Sequence, residues 1–327
     1  MHVLVLGGSG FVSRQVAEVA LAAGYRVTCA TRGVSGRVPA GTTHVRWDRT
    51  EPVPAGLGAD ADLVVDVSRS PGQVRRAVAA MPQAHWVFVS TVSVYADTAT
   101  RGATTRAAVV DPVDDEVDLH VAPEAYGGMK VACERAVRDG TRSSAVVRPG
   151  LIVGPGDPTG RFTYWPVHAA AAHRDGRPLL VPGEPDDPVQ VIDVRDLAQW
   201  LVVVGARRTT GTFDAVTPPF PRSALVAALH EATGHSRAVY VPGEVLDELG
   251  VTPWDGPTSL PLWISDPGYG GFLARDPAAS LAAGLLPRPL VDTVRDTLTW
   301  VEATPGARVS GLDREAELDV LARSGLG

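Results

Sequence analysis

Tyr126 and Lys130 stand four residues apart in Tyr126-Gly127-Gly128-Met129-Lys130, a spacing that places a phenol and an ammonium on one face of a helix. An unperturbed tyrosine, with a pKa of about 10, exchanges protons poorly at neutral pH. A neighbouring cation favours the phenolate and lowers that pKa, so the pair can carry general acid–base chemistry. Each of the two glycines between them costs a helix about 1 kcal/mol relative to alanine, which implies that something must approach this helix closely. Upstream, the apolar run Val87-Phe88-Val89 ends in the hydroxyl residues Ser90, Thr91 and Ser93.

A second candidate site opens the chain. The apolar run Val3 to Leu6 leads directly into Gly7-Gly8-Ser9-Gly10-Phe11-Val12-Ser13, and a helical pattern begins at once. In that context glycines have a purpose. Gly7 permits the tight turn, and Gly10 lets a pyrophosphate approach the amides at the helix N-terminus, where the dipole favours anions. Gly7, Ser9, Gly10, Phe11 and Val12 are therefore the expected phosphate contacts. Ser13 stands where a third glycine is usual, which predicts slightly wider helix-on-strand packing.

The second apolar run, Arg26 to Thr31, is followed by Arg32-Gly33. An acid at this point would bind the ribose 2′-hydroxyl of NAD, whereas arginine suits a 2′-phosphate. Thr31 and Arg32 are thus expected cofactor contacts, with NADP favoured and NAD left open. Asp48, after the third run, is placed to meet the adenine edge, and Ser68, after the fourth, lies on the cofactor side.

The elements that must position these residues alternate. Strand-like runs at Val3 to Leu6, Arg26 to Thr31, Thr43 to Trp47, Leu63 to Asp66, Trp86 to Ser90 and Ala145 to Arg148 are interleaved with helical patterns at Phe11 to Ala23, Gly72 to Ala80 and Pro123 to Asp139. Such alternation predicts an α/β fold, a doubly wound parallel sheet of the Rossmann type. Beyond Pro149-Gly150 prolines and glycines become frequent, with helical patterns at Ser223 to Thr233, Leu290 to Glu302 and Asp313 to Arg323. Residues 1–150 are expected to form the dinucleotide-binding domain, with 187–205 returning to it. Residues 151–186 and 206–327 are expected to form a smaller substrate-binding lobe.

Composition narrows the classes. Thirty Lys/Arg against 37 Asp/Glu give a formal charge of −7, with no basic tract that would serve a nucleic acid. No apolar stretch reaches the roughly 18 residues of a membrane helix, and the start of the chain lacks the pattern of a signal peptide; a cytoplasmic protein is expected. Cys29 and Cys133 have no Cys or His neighbours and read as buried apolar residues. The acidic runs at 114–116 and 186–187 read as solvated loops, so no metal site is expected. Arg161-Phe162-Thr163-Tyr164-Trp165 offers aromatic faces beside a cation, for stacking a substrate or for packing a core, and Trp254 and Trp263 pose the same choice.

Taken together, the chain resembles the extended or atypical branch of the short-chain dehydrogenase/reductase superfamily, the NAD-dependent epimerase/dehydratase group, over nearly its whole length. The resemblance rests on GGSGFVSR at the start, VSTVSVY at 89–95, YGGMK at 126–130, VRPG followed by IVGP at 147–155, and VIDVRDLA at 191–198. It implies that Thr91 hydrogen-bonds the reacting oxygen, that Tyr126 is the acid–base, and that Lys130 also holds the nicotinamide ribose. It further implies hydride transfer between nicotinamide and a carbonyl or carbinol carbon of a small-molecule substrate, and a homodimer formed through the tyrosine helix. Dehydratases of the group follow the threonine with an Asp-Glu pair; Val92 and Ser93 stand here, which argues against dehydration. Three classes remain: a reductase or dehydrogenase, an NAD-dependent epimerase of a sugar nucleotide or nucleoside, and a non-catalytic dinucleotide sensor. An intact Thr91/Tyr126/Lys130 set argues against the sensor.

Overall fold

The computed structural model describes residues 1–326, which divide into two compact units. The first comprises Met1–Gly150, Val194–Val216 and Arg275–Leu286; the second comprises Leu151–Asp193, Thr217–Ala274 and 287–326. The sequence reading placed 206–327 wholly in the second lobe and returned only 187–205 to the first. The strand Gly211–Ala215 and the segment Arg275–Leu286 lie instead in the first unit, and the return begins at Val194. The five residues of that strand are too short and too mixed to announce themselves.

The first unit is built on a seven-stranded parallel sheet. Its strands are β1 (His2–Leu6), β2 (Arg26–Thr31), β3 (Thr43–Arg46), β4 (Leu63–Asp66), β5 (His85–Val89), β6 (Ser143–Pro149) and Gly211–Ala215. The spatial order runs from Gly211–Ala215 through β6, β5, β4, β1 and β2 to β3, and every pair is parallel. Strands β1 and β4 are buried throughout and apolar but for His2 and Asp66 at their ends, as expected of strands covered on both faces. Alternation sends Leu4, Leu6, Val64, Trp86 and Phe88 to one face, where they meet Val74 and Val78 of α2 (Pro71–Ala80) and Cys133 and Val137 of α3 (Ala125–Gly140). Leu63 faces the other side and lies against Gly205 of the helix Val194–Ala206, which packs on α1 (Phe11–Ala22). The strand order reverses at β1, between β2 and β4, and ligands of open α/β sheets bind at such a switch point, beyond the carboxyl ends of the strands.

The second unit has its own core. Phe162, Tyr164, Trp165 and Trp263 are buried there with Leu179, Leu180 and Leu225. Two short parallel pairs, Leu151–Val153 with Val191–Asp193 and Leu179–Pro182 with Ala238–Val241, lie among the helices Tyr164–Asp175, Arg222–Thr233 and Leu290–Ala303. This settles the 161–165 stretch: its three aromatic rings fill the core and offer no face to a substrate. Arg161 alone of that run remains partly exposed and lies over the Trp254 ring, 4.8 Å from its centre. Among the described residues no helix is long and apolar enough to cross a membrane.

Candidate active site

The glycine turn after β1 sits at the switch point. Gly7 and Gly8 have φ of +132° and +117°, values that side chains resist, and a Cβ on Gly8 would come 2.8 Å from the Cβ of Cys29. Ser13 does more than substitute passively for glycine. Its hydroxyl accepts a hydrogen bond from the Gly8 amide at 2.9 Å and donates to the Gly10 carbonyl at 3.4 Å, so it closes the turn from inside. Gly10 is the N-cap of α1 and brings no capping side chain. A Cβ on Gly10 would meet nothing closer than Ser13 Oγ at 3.6 Å, so the backbone is open there, and the first amides of α1, at Phe11 and Val12, have no partner within the helix. A pyrophosphate fits that cradle.

Beside the turn lies a cavity of about 550 Å³ lined by Gly7, Arg32, Asp48, Arg49, Ser68 and Glu116, among others. Four of the residues expected from sequence, Gly7, Arg32, Asp48 and Ser68, thus meet around one space. Arg49 is committed elsewhere, making two 2.7 Å bonds to the buried Asp66 and a third to the Gln73 carbonyl. Arg32 makes no hydrogen bond or ion pair among the described residues. Asp48 accepts from the Thr50 amide and hydroxyl, which with Arg32 nearby hold its exposed carboxyl below the usual range. Thr31 ends β2, with its hydroxyl shared between His44 Nε2 at 2.9 Å and the Gly33 amide, and it does not line the cavity. Glu116, an exposed loop acid as expected, also lines the cavity, accepts a hydrogen bond from Ser70, the N-cap of α2, and packs where a Cβ on Gly72 would intrude.

The second cluster forms where the ends of β4 and β5 meet α3. Thr91 caps the short 3-10 turn Val92–Val94, accepting from the Ser93 amide at 3.1 Å and donating to Ser93 Oγ at 3.2 Å. Tyr126 is half-buried in the first turn of α3. Lys130, one turn on, is buried. Its Nζ donates to the carbonyls of Val89 (2.6 Å) and Ser68 (2.8 Å), with Val67 at 3.5 Å. In this structure the amine bridges the ends of two strands, β4 and β5. Burial lowers its pKa from 10.5 to about 8 against the opposing pull of Cys133, Asp66 and Glu134.

The glycine pair now has its explanation. The carbonyl of Ser93 sits against Gly127, while Val113 and the carbonyl of Asp111 sit against Gly128; the Val113 amide also donates to the Gly128 carbonyl. Residues 93 and 111–113 dock onto the helix through these two gaps, so the turn bearing Thr91 is packed beside the helix bearing Tyr126 and Lys130. One further signal lay in the sequence unused. Lys130 is the sole lysine among 30 Lys/Arg residues, in a chain that uses arginine for every other such cation. A guanidinium is planar and cannot serve three converging carbonyls as a compact ammonium does.

A buried polar chain adjoins this cluster, and the sequence reading did not find it. Ser90 donates to Glu134 of α3 (2.6 Å), and Arg148 of β6 holds both Glu134 oxygens at 2.8 and 2.7 Å. Arg148 also donates to the Tyr95 hydroxyl, which donates to Asp214 at 2.6 Å, and Asp214 accepts from Arg275. Burial pushes the Glu134 carboxyl up, but Arg148, Ser90 and Arg138 outweigh it and leave it below the usual range. At Asp214 burial wins and the carboxyl is raised. Cys29 and Cys133 are buried, and their thiols are pushed up to about 11 and 12. Among the described residues no group of three or more His, Cys, Asp or Glu could hold a metal ion.

No family profile matches the chain. It is 31% identical over 264 residues to a 2′-dehydrokanamycin reductase from Streptomyces kanamyceticus, covering 75% of this chain and 70% of that one. Among solved structures it is similar to a UDP-glucuronic acid 4-epimerase from Bacillus cereus in complex with NAD, with a TM-score of 0.64 and 13% identity over 94% of this chain and 99% of the other. A UDP-glucose 4-epimerase of Thermus thermophilus, also with NAD, gives 0.61 and 17% over 93% and 100%. Sheet order, switch-point glycine turn and reductase relative agree, and the chain belongs to the extended short-chain dehydrogenase/reductase family, as an NAD(P)-dependent oxidoreductase.

Proposed function

We propose that the protein is an NADPH-dependent reductase that converts a ketone on a sugar-like, amine-bearing small molecule into an alcohol. The observation that carries the cofactor choice is Arg32, uncommitted in the cavity beside the glycine turn, with no acid at the end of β2. A reductase exchanges its cofactor every cycle, whereas an epimerase keeps one through oxidation and re-reduction; an arginine reader of a 2′-phosphate suits the former. The relative named as a reductase supports the same direction.

The second unit supports the substrate class. It carries ten arginines and no lysine against 19 acids, while the first carries 20 cations against 18 acids. A dinucleotide-binding unit of slight positive charge and a substrate unit of strong negative charge suit an anionic cofactor and a cationic substrate.

When bound, the cofactor supplies a hydride to the carbonyl carbon. Tyr126 gives its phenolic proton to the carbonyl oxygen, and the Thr91 hydroxyl turns its proton from Ser93 Oγ to donate a hydrogen bond to that oxygen. The Lys130 ammonium stabilises the resulting phenolate through space. The amides of Phe11 and Val12 would hold the pyrophosphate, Arg32 the 2′-phosphate and Asp48 the adenine edge. A homodimer through α3 would have to use its charged outer rim, Arg135, Arg138 and Asp139, because Gly127 to Glu134 are buried within one chain.

Purified protein mixed with NADPH or NADH and a panel of oxo-sugars with and without amines tests this reading. Stoichiometric loss of NADPH absorbance with an amino-sugar ketone supports it. Turnover on tightly bound cofactor with no net redox change would establish an epimerase instead.

A further inference from the structure

We propose that the Glu134–Arg148 pair is a clamp that holds both ends of the turn carrying Thr91, making Glu134 and Arg148 positioning residues for hydride transfer; the inference rests on the acid–base reading of Thr91, Tyr126 and Lys130.

The turn Val92–Val94 is short and is preceded by Thr91. Immediately before it, Ser90 donates its hydroxyl to Glu134 Oε1. Immediately after it, Tyr95 accepts from Arg148 Nη1 at 2.9 Å. The remaining donors of Arg148, Nε and Nη2, are spent on Glu134 Oε1 and Oε2. One guanidinium therefore reaches the residue beyond the turn directly and the residue before it through a single carboxylate. Its planar fork fixes the separation of those two attachments.

The same clamp registers the turn against α3. Lys130 and Glu134 are four residues apart, hence on one face of that helix. They grip consecutive residues of one strand end: Lys130 takes the carbonyl of Val89 and Glu134 the hydroxyl of Ser90. Glu134 also accepts from Arg138 at 2.8 Å, so each of its oxygens receives two donors. A carboxylate so saturated, with two bonds from a buried arginine, has no capacity left for proton transfer; its work is geometric. Ser90, Tyr95, Glu134 and Arg148 are each under 5% exposed, so water cannot substitute for a lost bond. A reacting group displaced by about 1 Å can cost on the order of a hundredfold in rate, which is why a clamp at this place matters.

Ser90→Ala removes one bond and leaves the Glu134–Arg148–Arg138 set intact, and Ser90→Thr keeps the hydroxyl. The expected result for Ser90→Ala is a fall in kcat of about tenfold with NADPH affinity unchanged, and recovery in Ser90→Thr. Hydrogen exchange on the cofactor-free protein supplies a readout independent of turnover: amides at 90–95 and 126–131 should exchange faster in Ser90→Ala while those of β1 and β4 stay as in the parent. The sole lysine gives a second one, since reductive methylation followed by intact mass reports Lys130 beside the N-terminal amine, and Lys130 should label faster in the variant. Unchanged kcat with unchanged exchange would overturn the clamp. So would a kcat loss that merely follows a lower folded fraction, with exchange raised across the whole sheet. Should the parent protein reduce no ketone, the proposed function fails, while exchange and labelling still decide the clamp.

Discussion

The carbonyl oxygen of Ser93 occupies the space that a methyl group on Gly127 would need. A glycine inside a helix is normally a cost of about 1 kcal/mol; here it is the condition for placing the Thr91 turn beside Tyr126. Gly127→Ala gains that propensity but must push the 93 carbonyl away, and overpacking of this kind costs about 1–3 kcal/mol. The expected outcome is a small net loss of stability in denaturant unfolding with a disproportionate loss of kcat. A variant with parental kcat would show that the close approach does not position Thr91.

Tyr126→Phe should keep NADPH affinity and lose turnover by about 10² or more, the scale of deleting a positioned acid–base group. Binding is read by calorimetry and turnover by absorbance. Parental kcat in this variant would remove Tyr126 from the chemistry.

The glycine turn, the Tyr126/Lys130 spacing and Arg32 were legible in the sequence because each is local: a few consecutive residues fix both the backbone and the chemistry. The clamp was not, because its members come from different elements; Tyr95 and Arg148 are 53 residues apart, and no periodicity links them. Two local patterns needed the fold to be read. Thr31 ends β2, and its hydroxyl meets His44 on the neighbouring strand. Phe162, Tyr164 and Trp165 suited either a stacking surface or a core, and the second unit's core encloses them.

Lys130 predicts a pH effect whose sign follows from its environment. In the folded chain its pKa is about 8, against 10.5 for the ordinary side chain. Below pH 8 both folded and unfolded chains hold the proton, and the folded state bears the full cost of a buried cation. Between pH 8 and 10.5 the unfolded chain binds more protons, so this contribution to stability rises with pH. Lys130→Met has no such titration. The stability of the parent relative to that variant should therefore improve from about pH 8 to about pH 10, measured by urea unfolding at each pH. A constant difference would place the Lys130 pKa near its ordinary value. Activity of the variant should be low at every pH, because the phenolate of Tyr126 loses its cation.

Arg32 and Glu116 line the same cavity with opposite charge, and the pair makes the cofactor reading quantitative. A charge-assisted bond to a phosphate is worth about 1.5–3 kcal/mol, so Arg32→Ala should weaken NADPH binding about ten- to a hundredfold and NADH binding far less. Glu116 is exposed, and its repulsion of a 2′-phosphate is screened, so Glu116→Gln should tighten NADPH by about two- to fivefold and leave NADH nearly unchanged. The double variant separates two accounts of that gain. If Glu116 acts by repelling the phosphate that Arg32 holds, its effect shrinks once Arg32 is gone, because the phosphate is no longer fixed beside it. If Glu116 acts by fastening Ser70 and the start of α2, its effect is the same with or without Arg32 and appears equally for NADH. Calorimetric affinities of the four proteins for both cofactors decide the matter, and equal losses for NADPH and NADH in Arg32→Ala would end the phosphate-reader assignment.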